Sequence, residues 1–128
     1  MRTSIGDALS YSIAQTSDYR SPSMPVSFNA GSHRPSWFDI RTLPPGHDEW
    51  DDAGIVSSLA YVEALIQAEV HRGVDPRRII LMGFSQGAAL GLLVALKTTH
   101  ELSGVISLSG WIPHKGRDLS HTTEYYRL

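Results

Sequence analysis

Apolar residues recur three or four apart at Ile55, Leu59, Val62, Ile66 and Val70, while Ser57, Glu63, Gln67 and His71 fall between them. That spacing puts one apolar stripe on an amphipathic helix. Asp51 or Asp52 stands where the free amides of a first turn need an acceptor, and Gly73 where a left-handed residue ends a helix. Asp75-Pro76 then makes a turn, because proline presets φ and the aspartate bonds ahead. Arg78-Ile79-Ile80-Leu81-Met82 is a short unbroken apolar run, the pattern of a strand buried on both faces. Ala88 to Lys97 is apolar almost all round, as a helix pressed onto a sheet would be. Leu102 to Leu108 is a second buried-strand pattern, closing with Ser109-Gly110-Trp111. Helix, strand, helix, strand in this order predicts an α/β fold with parallel pairing and right-handed crossovers.

The chain before Asp51 is patterned differently. In residues 1–20 the only periodicity is Ile5, Leu9 and Ile13 at i, i+4 spacing among Ser, Thr and Asp, which supports at most a short helix. Pro22, Pro25, Pro35, Pro44 and Pro45 then deny residues 21–46 a helix or a regular central strand. An ordered, irregular loop is expected there. Its apolar members, Val26, Phe28, Trp37, Phe38 and Ile40, should pack onto the rest of the molecule. The expected organisation is a divergent N-terminal segment over 1–20, an α/β core over 21–113 and a polar tail over 114–128. There is no internal repeat or low-complexity tract.

Composition narrows the classes. With 128 residues, 41% hydrophobic and 19% charged, the chain is one globular domain or a piece of one. A net charge of −2 without a dense Lys/Arg run argues against a nucleic-acid partner. Cysteine is absent, which excludes disulfides, thiolate catalysis and Cys-based zinc sites. No stretch approaches about 18 consecutive apolar residues, and the N-terminus lacks the basic-then-apolar pattern of a secretory signal. A soluble, intracellular protein is expected. His33 and His47 sit in Pro-containing loops with no second ligand at metal spacing, and His71 at a helix end, so no metal site is expected.

The chemistry-bearing motif is Gly83-Phe84-Ser85-Gln86-Gly87. A serine hydroxyl attacks poorly unless it is exposed beside a base and its oxyanion is met by amide donors. A sharp strand-to-helix turn supplies the exposure, with glycines expected at both ends because side chains there would collide with strand and helix. Gly-x-Ser-x-Gly alone is weak. Here it lies directly between the apolar strand run and the Ala-rich helix, the context that the motif requires. Ser85 is read as the nucleophile, and the Gln86 backbone amide, at the positive end of the helix dipole, as one oxyanion donor.

The run Arg78-Ile79-Ile80-Leu81-Met82-Gly83-Phe84-Ser85-Gln86-Gly87-Ala88-Ala89-Leu90 resembles the elbow of the acyl-protein thioesterases, in the phospholipase/carboxylesterase family of α/β-hydrolases. Pro35-Ser36-Trp37-Phe38-Asp39-Ile40 is similar to the family's Pro-Ser-Trp-Phe-Asp loop, and Pro25-Val26-Ser27-Phe28-Asn29 to the lead-in to it. Leu102-Ser103-Gly104-Val105 and Leu108-Ser109-Gly110-Trp111-Ile112-Pro113 resemble the strand and turn after the nucleophile helix. The resemblance covers roughly Ser21 to Pro113. It implies a partial α/β-hydrolase fold, a mostly parallel sheet with flanking helices. It also implies a serine hydrolase that needs no cofactor and removes palmitoyl groups from S-acylated proteins, with lysophospholipids or carboxylic esters as further substrates. Such an enzyme would be cytoplasmic, with a nuclear share, and would touch membrane surfaces transiently. Trp37, Phe38 and Trp111 would lie at the acyl-binding region. The competing reading makes Trp37 and Phe38 anchors of the core, since aromatic rings bury large areas in any case.

The sequence departs from the family pattern in the other catalytic parts. No His-Gly dipeptide precedes Ser85 to give a second oxyanion donor, and Gly-x-x-Asp and Gly-His signatures do not follow it. After Ser85 the acids are Glu101, Asp118 and Glu124, and the histidines His100, His114 and His121. His100 and Glu101 precede the next strand and so fall at the sheet edge opposite the elbow. Asp118 and His121 follow it, in the right chain order, but three residues of separation leave little room for a rigid acid-base pair. They are weak candidates against a solvated tail. The expectation is a fragment that lacks the N-terminal strands and the triad-bearing C-terminal third, with little activity of its own. A non-catalytic module that binds acylated proteins and a small-ester carboxylesterase are the alternatives.

Overall fold

The structure is a computed structural model that describes residues 4–7, 10–12, 19–43, 45 and 50–112. Asp118 and His121, with His47, His114 and the tail over 114–128, lie outside the described residues.

Two antiparallel ribbons precede the α/β core. In the first, β1 (Ser4–Asp7) pairs with β2 (Ser10–Ser12). This replaces the short helix expected from Ile5, Leu9 and Ile13. Gly6 and three serines are poor helix formers, and three apolar residues do not offset that. In the second, β3 (Ser23–Val26) pairs with β4 (Ser32–Pro35) across a 3-10 turn at Ser27–Asn29. An irregular loop was expected here because of its prolines. A two-stranded ribbon consists of edges only, so Pro25 opposite His33 and Pro35 opposite Ser23 deprive no central strand of a bond.

Helix α1 (Asp52–His71) starts where Asp51 caps it. The Gly54 amide donates to Asp51 Oδ1 at 3.1 Å, and the other carboxylate oxygen, Oδ2, accepts from the Asp39 amide at 2.8 Å. One side chain thus ends the preceding loop and begins the helix. Ile55, Leu59 and Ile66 are buried along its stripe, together with Ser58. Gly73, at φ 95°, follows the helix as its spacing predicts. Asp75 then caps a single 3-10 turn, Pro76–Arg78, by accepting from the Arg77 amide at 2.9 Å.

Strand β5 (Ile80–Phe84), helix α2 (Gln86–Lys97) and strand β6 (Gly104–Leu108) form the predicted crossover unit. The strands are parallel, in register from Ile80 beside Gly104 to Phe84 beside Leu108. Helix α2 lies on the sheet and α1 packs against α2. The core fills the space between them with Ala89, Leu90, Leu93 and Val94 from α2, Ile55, Leu59 and Ile66 from α1, and Phe38 and Ile40 from the loop before α1.

Burial of β5 and β6 on both faces is not observed. Leu81 faces the core, but Ile80, Met82 and Phe84 are 56%, 69% and 70% exposed, and Ile106 and Leu108 are 45% and 49% exposed. A parallel sheet is dry on both faces only when a helical layer covers each. Among the described residues, helices cover one.

Replacing Asp51 by Ala removes the cap and the anchor of the Asp39 amide together, so urea unfolding should register a loss of about 1–2 kcal/mol. Asp51→Asn keeps one acceptor oxygen and turns an NH2 toward the second amide donor, so it should recover only part of that loss; equal stability of Asp51→Ala and the wild type would contradict the double role.

Candidate active site

The turn from β5 into α2 is sharper than ordinary side chains permit. A Cβ on Gly83 would lie 2.4 Å from the carbonyl carbon and oxygen of Gly87 and 2.6 Å from the Ala88 amide nitrogen. Backbone therefore fills the space a side chain would need, and glycine is required. Gly87 differs from the expectation. A Cβ there would meet only the Trp37 indole nitrogen, at 3.6 Å, an ordinary contact. A Cβ at 87 would therefore clash with neither the strand nor the Trp37 ring.

Ser85 stands at the N-cap of α2 with φ 51° and ψ −114°. Such a conformation costs a residue with a side chain about 1–3 kcal/mol and persists only when its surroundings enforce it. Here they do. The Ser85 amide donates to the Leu108 carbonyl at 2.8 Å, and its own carbonyl accepts from the Ala89 amide at 3.0 Å. The hydroxyl makes no capping bond to the helix amides, although serine is a favoured capping residue. The usual local use of the side chain is given up, which leaves the oxygen available for chemistry. The Gln86 amide opens the helix, where backbone donors have no intrahelical acceptor and the dipole favours negative charge.

The Gln86 side chain reaches away from the elbow to the loop over Ser36 to Phe38. Its Oε1 accepts from the Trp37 amide at 2.7 Å, and its Nε2 donates to the Phe38 carbonyl at 2.6 Å. The buried Ser36 hydroxyl lies 2.9 Å from Nε2 and bonds the Phe38 carbonyl at 2.6 Å. From the other side Ser58 on α1 donates to the Trp37 carbonyl. The backbone of this loop is thus satisfied by side chains from both helices. Neither Ser36 nor the side chain of Gln86 was identified by periodicity, because a polar partner some fifty residues away leaves no local trace. The one visible signal is their presence in the two quoted motifs.

The loop is fixed further by Asp39, which accepts from both the amide and the hydroxyl of Ser27. Partial burial opposes the charged carboxylate, but these Ser27 bonds, with the Ile40 amide and Arg41, outweigh it and hold its pKa below the ordinary 3.8. The sign follows from linkage: its stabilising contribution is present above 3.8 and is lost as pH falls through the lower folded value.

The aromatic candidates separate. Trp37 is half-buried beside the start of α2, with its ring 5.9 Å from that of Tyr61. Phe38 is 3% exposed and lies in the core, edge-on to Trp111 at 6.3 Å. Trp111 is itself half-buried against that core. His100 lies at the far end of the sheet from Ser85, as its place in the chain predicts, with Nε2 2.9 Å from Gln67 Oε1 and 3.7 Å from Glu63. Glu101 is exposed at the same end, His33 is exposed on β4, and His71 bonds Gln67 near the end of α1. The structure brings Ser85, the Gln86 amide and Trp37 together. It keeps His100 and Glu101 apart from them.

A parallel strand, a serine held at positive φ and a helix beginning at the next residue define an elbow of the α/β-hydrolase kind. Residues 18–126 match the model of the Phospholipase/Carboxylesterase family, and the chain belongs to that family. It is similar to acyl-protein thioesterase 1 of Cryptococcus neoformans, 47% identical over 94 residues that make up 72% of this chain and 40% of the relative. Acyl-protein thioesterase 1 of Yarrowia lipolytica is 42% identical over 103 residues, 80% of this chain and 45% of that one. Among solved structures, Arabidopsis thaliana SOBER1 aligns with a TM-score of 0.65 at 33% identity over 73% of this chain and 45% of that chain. Zea mays acyl-protein thioesterase 2 aligns with a TM-score of 0.62 at 29% identity, over 82% of this chain and 49% of its own. The chain therefore spans less than half the length of these relatives.

The strain at Ser85 has a measurable consequence. Glycine adopts this conformation freely, so Ser85→Gly should unfold at higher denaturant than Ser85→Ala, by about 1–3 kcal/mol. Ser85→Ala more stable than Ser85→Gly would contradict the strained elbow.

Proposed function

We propose that this chain carries the nucleophile half of a serine hydrolase of the acyl-protein thioesterase type, acting on palmitoyl thioesters of S-acylated proteins. The observation that carries the reading is the Ser85 backbone, held at φ 51° with a hydroxyl that caps nothing. Membership of the phospholipase/carboxylesterase family and the thioesterase relatives support the same chemistry. Lysophospholipids and simple carboxylic esters are substrates of the same chemical kind.

In the proposed reaction Ser85 Oγ attacks the thioester carbonyl carbon while its proton passes to a base. The Gln86 amide donates to the oxyanion of the tetrahedral intermediate, at the positive end of α2. Collapse breaks the carbon–sulfur bond, the cysteine thiol leaves with a proton, and an acyl group stays on Ser85. Water then adds to this ester, and its breakdown releases the fatty acid and restores the serine hydroxyl. The base and acid for these proton transfers do not stand among the described residues.

A fluorophosphonate probe tests the reading on the purified chain. Slow labelling in the wild type that disappears in Ser85→Ala is expected, with little release of palmitate from an S-palmitoylated peptide, because a serine without a positioned base attacks poorly. A folded wild-type chain that takes no label would sink the proposal, and retained binding of the acylated peptide in that case would favour a non-catalytic binding module.

A further inference from the structure

We infer that the Gln86 side chain is a positioning residue that latches the Trp37 loop to the oxyanion-forming end of α2, and so sets the preference for long acyl chains. The inference rests on the proposed function for its substrate and on geometry for its latch. Gln86 supplies its backbone amide at the elbow, while its side-chain amide uses both ends on the loop. Oε1 takes the Trp37 amide at 2.7 Å and Nε2 gives to the Phe38 carbonyl at 2.6 Å. Ser36, 5% exposed, completes the seam at 2.9 Å from Nε2. These bonds lie in a partly buried setting, where an unpaired loop amide or carbonyl is costly, so the loop has one favoured position.

What that position places is the Trp37 indole. Its nitrogen lies 3.6 Å from where a Cβ on Gly87 would stand, two residues beyond Ser85, and its ring faces Tyr61 at 5.9 Å. Phe38, the next residue, is locked into the core beside Trp111. The loop is therefore pinned at one end by apolar packing and at the elbow by Gln86. Trp37 lies beside Gly87, two residues beyond the nucleophile, and the exposed Tyr61 ring extends its aromatic surface. A short acyl group bonded to Ser85 extends little beyond the elbow, whereas a long one gains by lying on aromatic surface held in place. Loosening the latch should therefore weaken reaction with long chains more than with short ones.

The test pairs a structural with a chemical readout on the full chain. In Gln86→Leu, hydrogen exchange at the Trp37 amide should accelerate about tenfold or more while the amides of the β5–β6 ladder keep their protection. The ratio of Ser85 phosphonylation rates for a long-chain alkyl over an ethyl fluorophosphonate should fall about tenfold. Gln86→Glu keeps an acceptor for the Trp37 amide but sets a carboxylate oxygen against the Phe38 carbonyl, so it should restore only part of that protection. Ser36→Ala, which leaves Gln86 in place, should have a smaller effect of the same kind and serves if Gln86→Leu does not fold. An unchanged Trp37 amide, or a chain-length ratio equal to that of the wild type, overturns the inference. A wild-type chain that takes neither probe contradicts the proposed function itself, and the exchange experiment then decides the latch alone.

Discussion

The close passage of β5 past the start of α2 is the constraint on which the rest of this molecule depends. Because the Gly83 Cα lies against the Gly87 carbonyl, the chain must reverse direction within one residue, and that residue is Ser85. Its left-handed backbone is the geometric cost of the turn. The bonds from its amide to Leu108 and from Ala89 to its carbonyl are what maintain it. Ser85 is thus joined to the neighbouring parallel strand as well as to its own helix. Sheet, helix and nucleophile cannot be arranged independently. A change in the register of β6 would release Ser85 as surely as a substitution in the elbow.

A second constraint is polar and ties the elbow to the preceding loop. Buried backbone groups need partners, and the loop from Ser36 to Asp39 lies between two helices, outside any ladder. Gln86, Ser36, Ser58 and Asp51 supply those partners from α2, the loop itself and α1. Two of them have a second duty. Asp51 caps a helix, and Gln86 brings the amide that would face an oxyanion. The apolar core holds the helices against one another, while this polar seam fixes where the loop stands between them.

Much of the fold was legible where the determinants are local. The stripe from Ile55 to Val70 specified α1 because its apolar residues recur three or four apart, even though Val56 and Tyr61 stay exposed off it, and Asp51 or Asp52 and Gly73 marked its ends. Ser85 was legible because its glycines sit between an apolar strand and an apolar helix. The ribbons were not. Strands of three or four residues that carry Pro25, Pro35 and Gly6 are too short for alternation to single them out, and their pairing is set by contacts across a turn. Exposure of Ile80, Met82 and Phe84 was also illegible: an apolar run says that a strand prefers cover, not whether another layer lies over it. The requirement for Gly87 was misread for a similar reason, since its neighbour is Trp37, fifty residues earlier. The latch through Gln86 depends on a contact of the same range.

The central claim is that Ser85 is held at positive φ between β5 and α2 with its hydroxyl free of the helix. The most direct measurement is the Ser85 φ angle itself, obtained by cross-correlated NMR relaxation on isotopically labelled chain. A φ near 51° is the predicted result. A φ in the ordinary helical or extended region would remove the elbow, and with it the physical basis for reading Ser85 as a nucleophile.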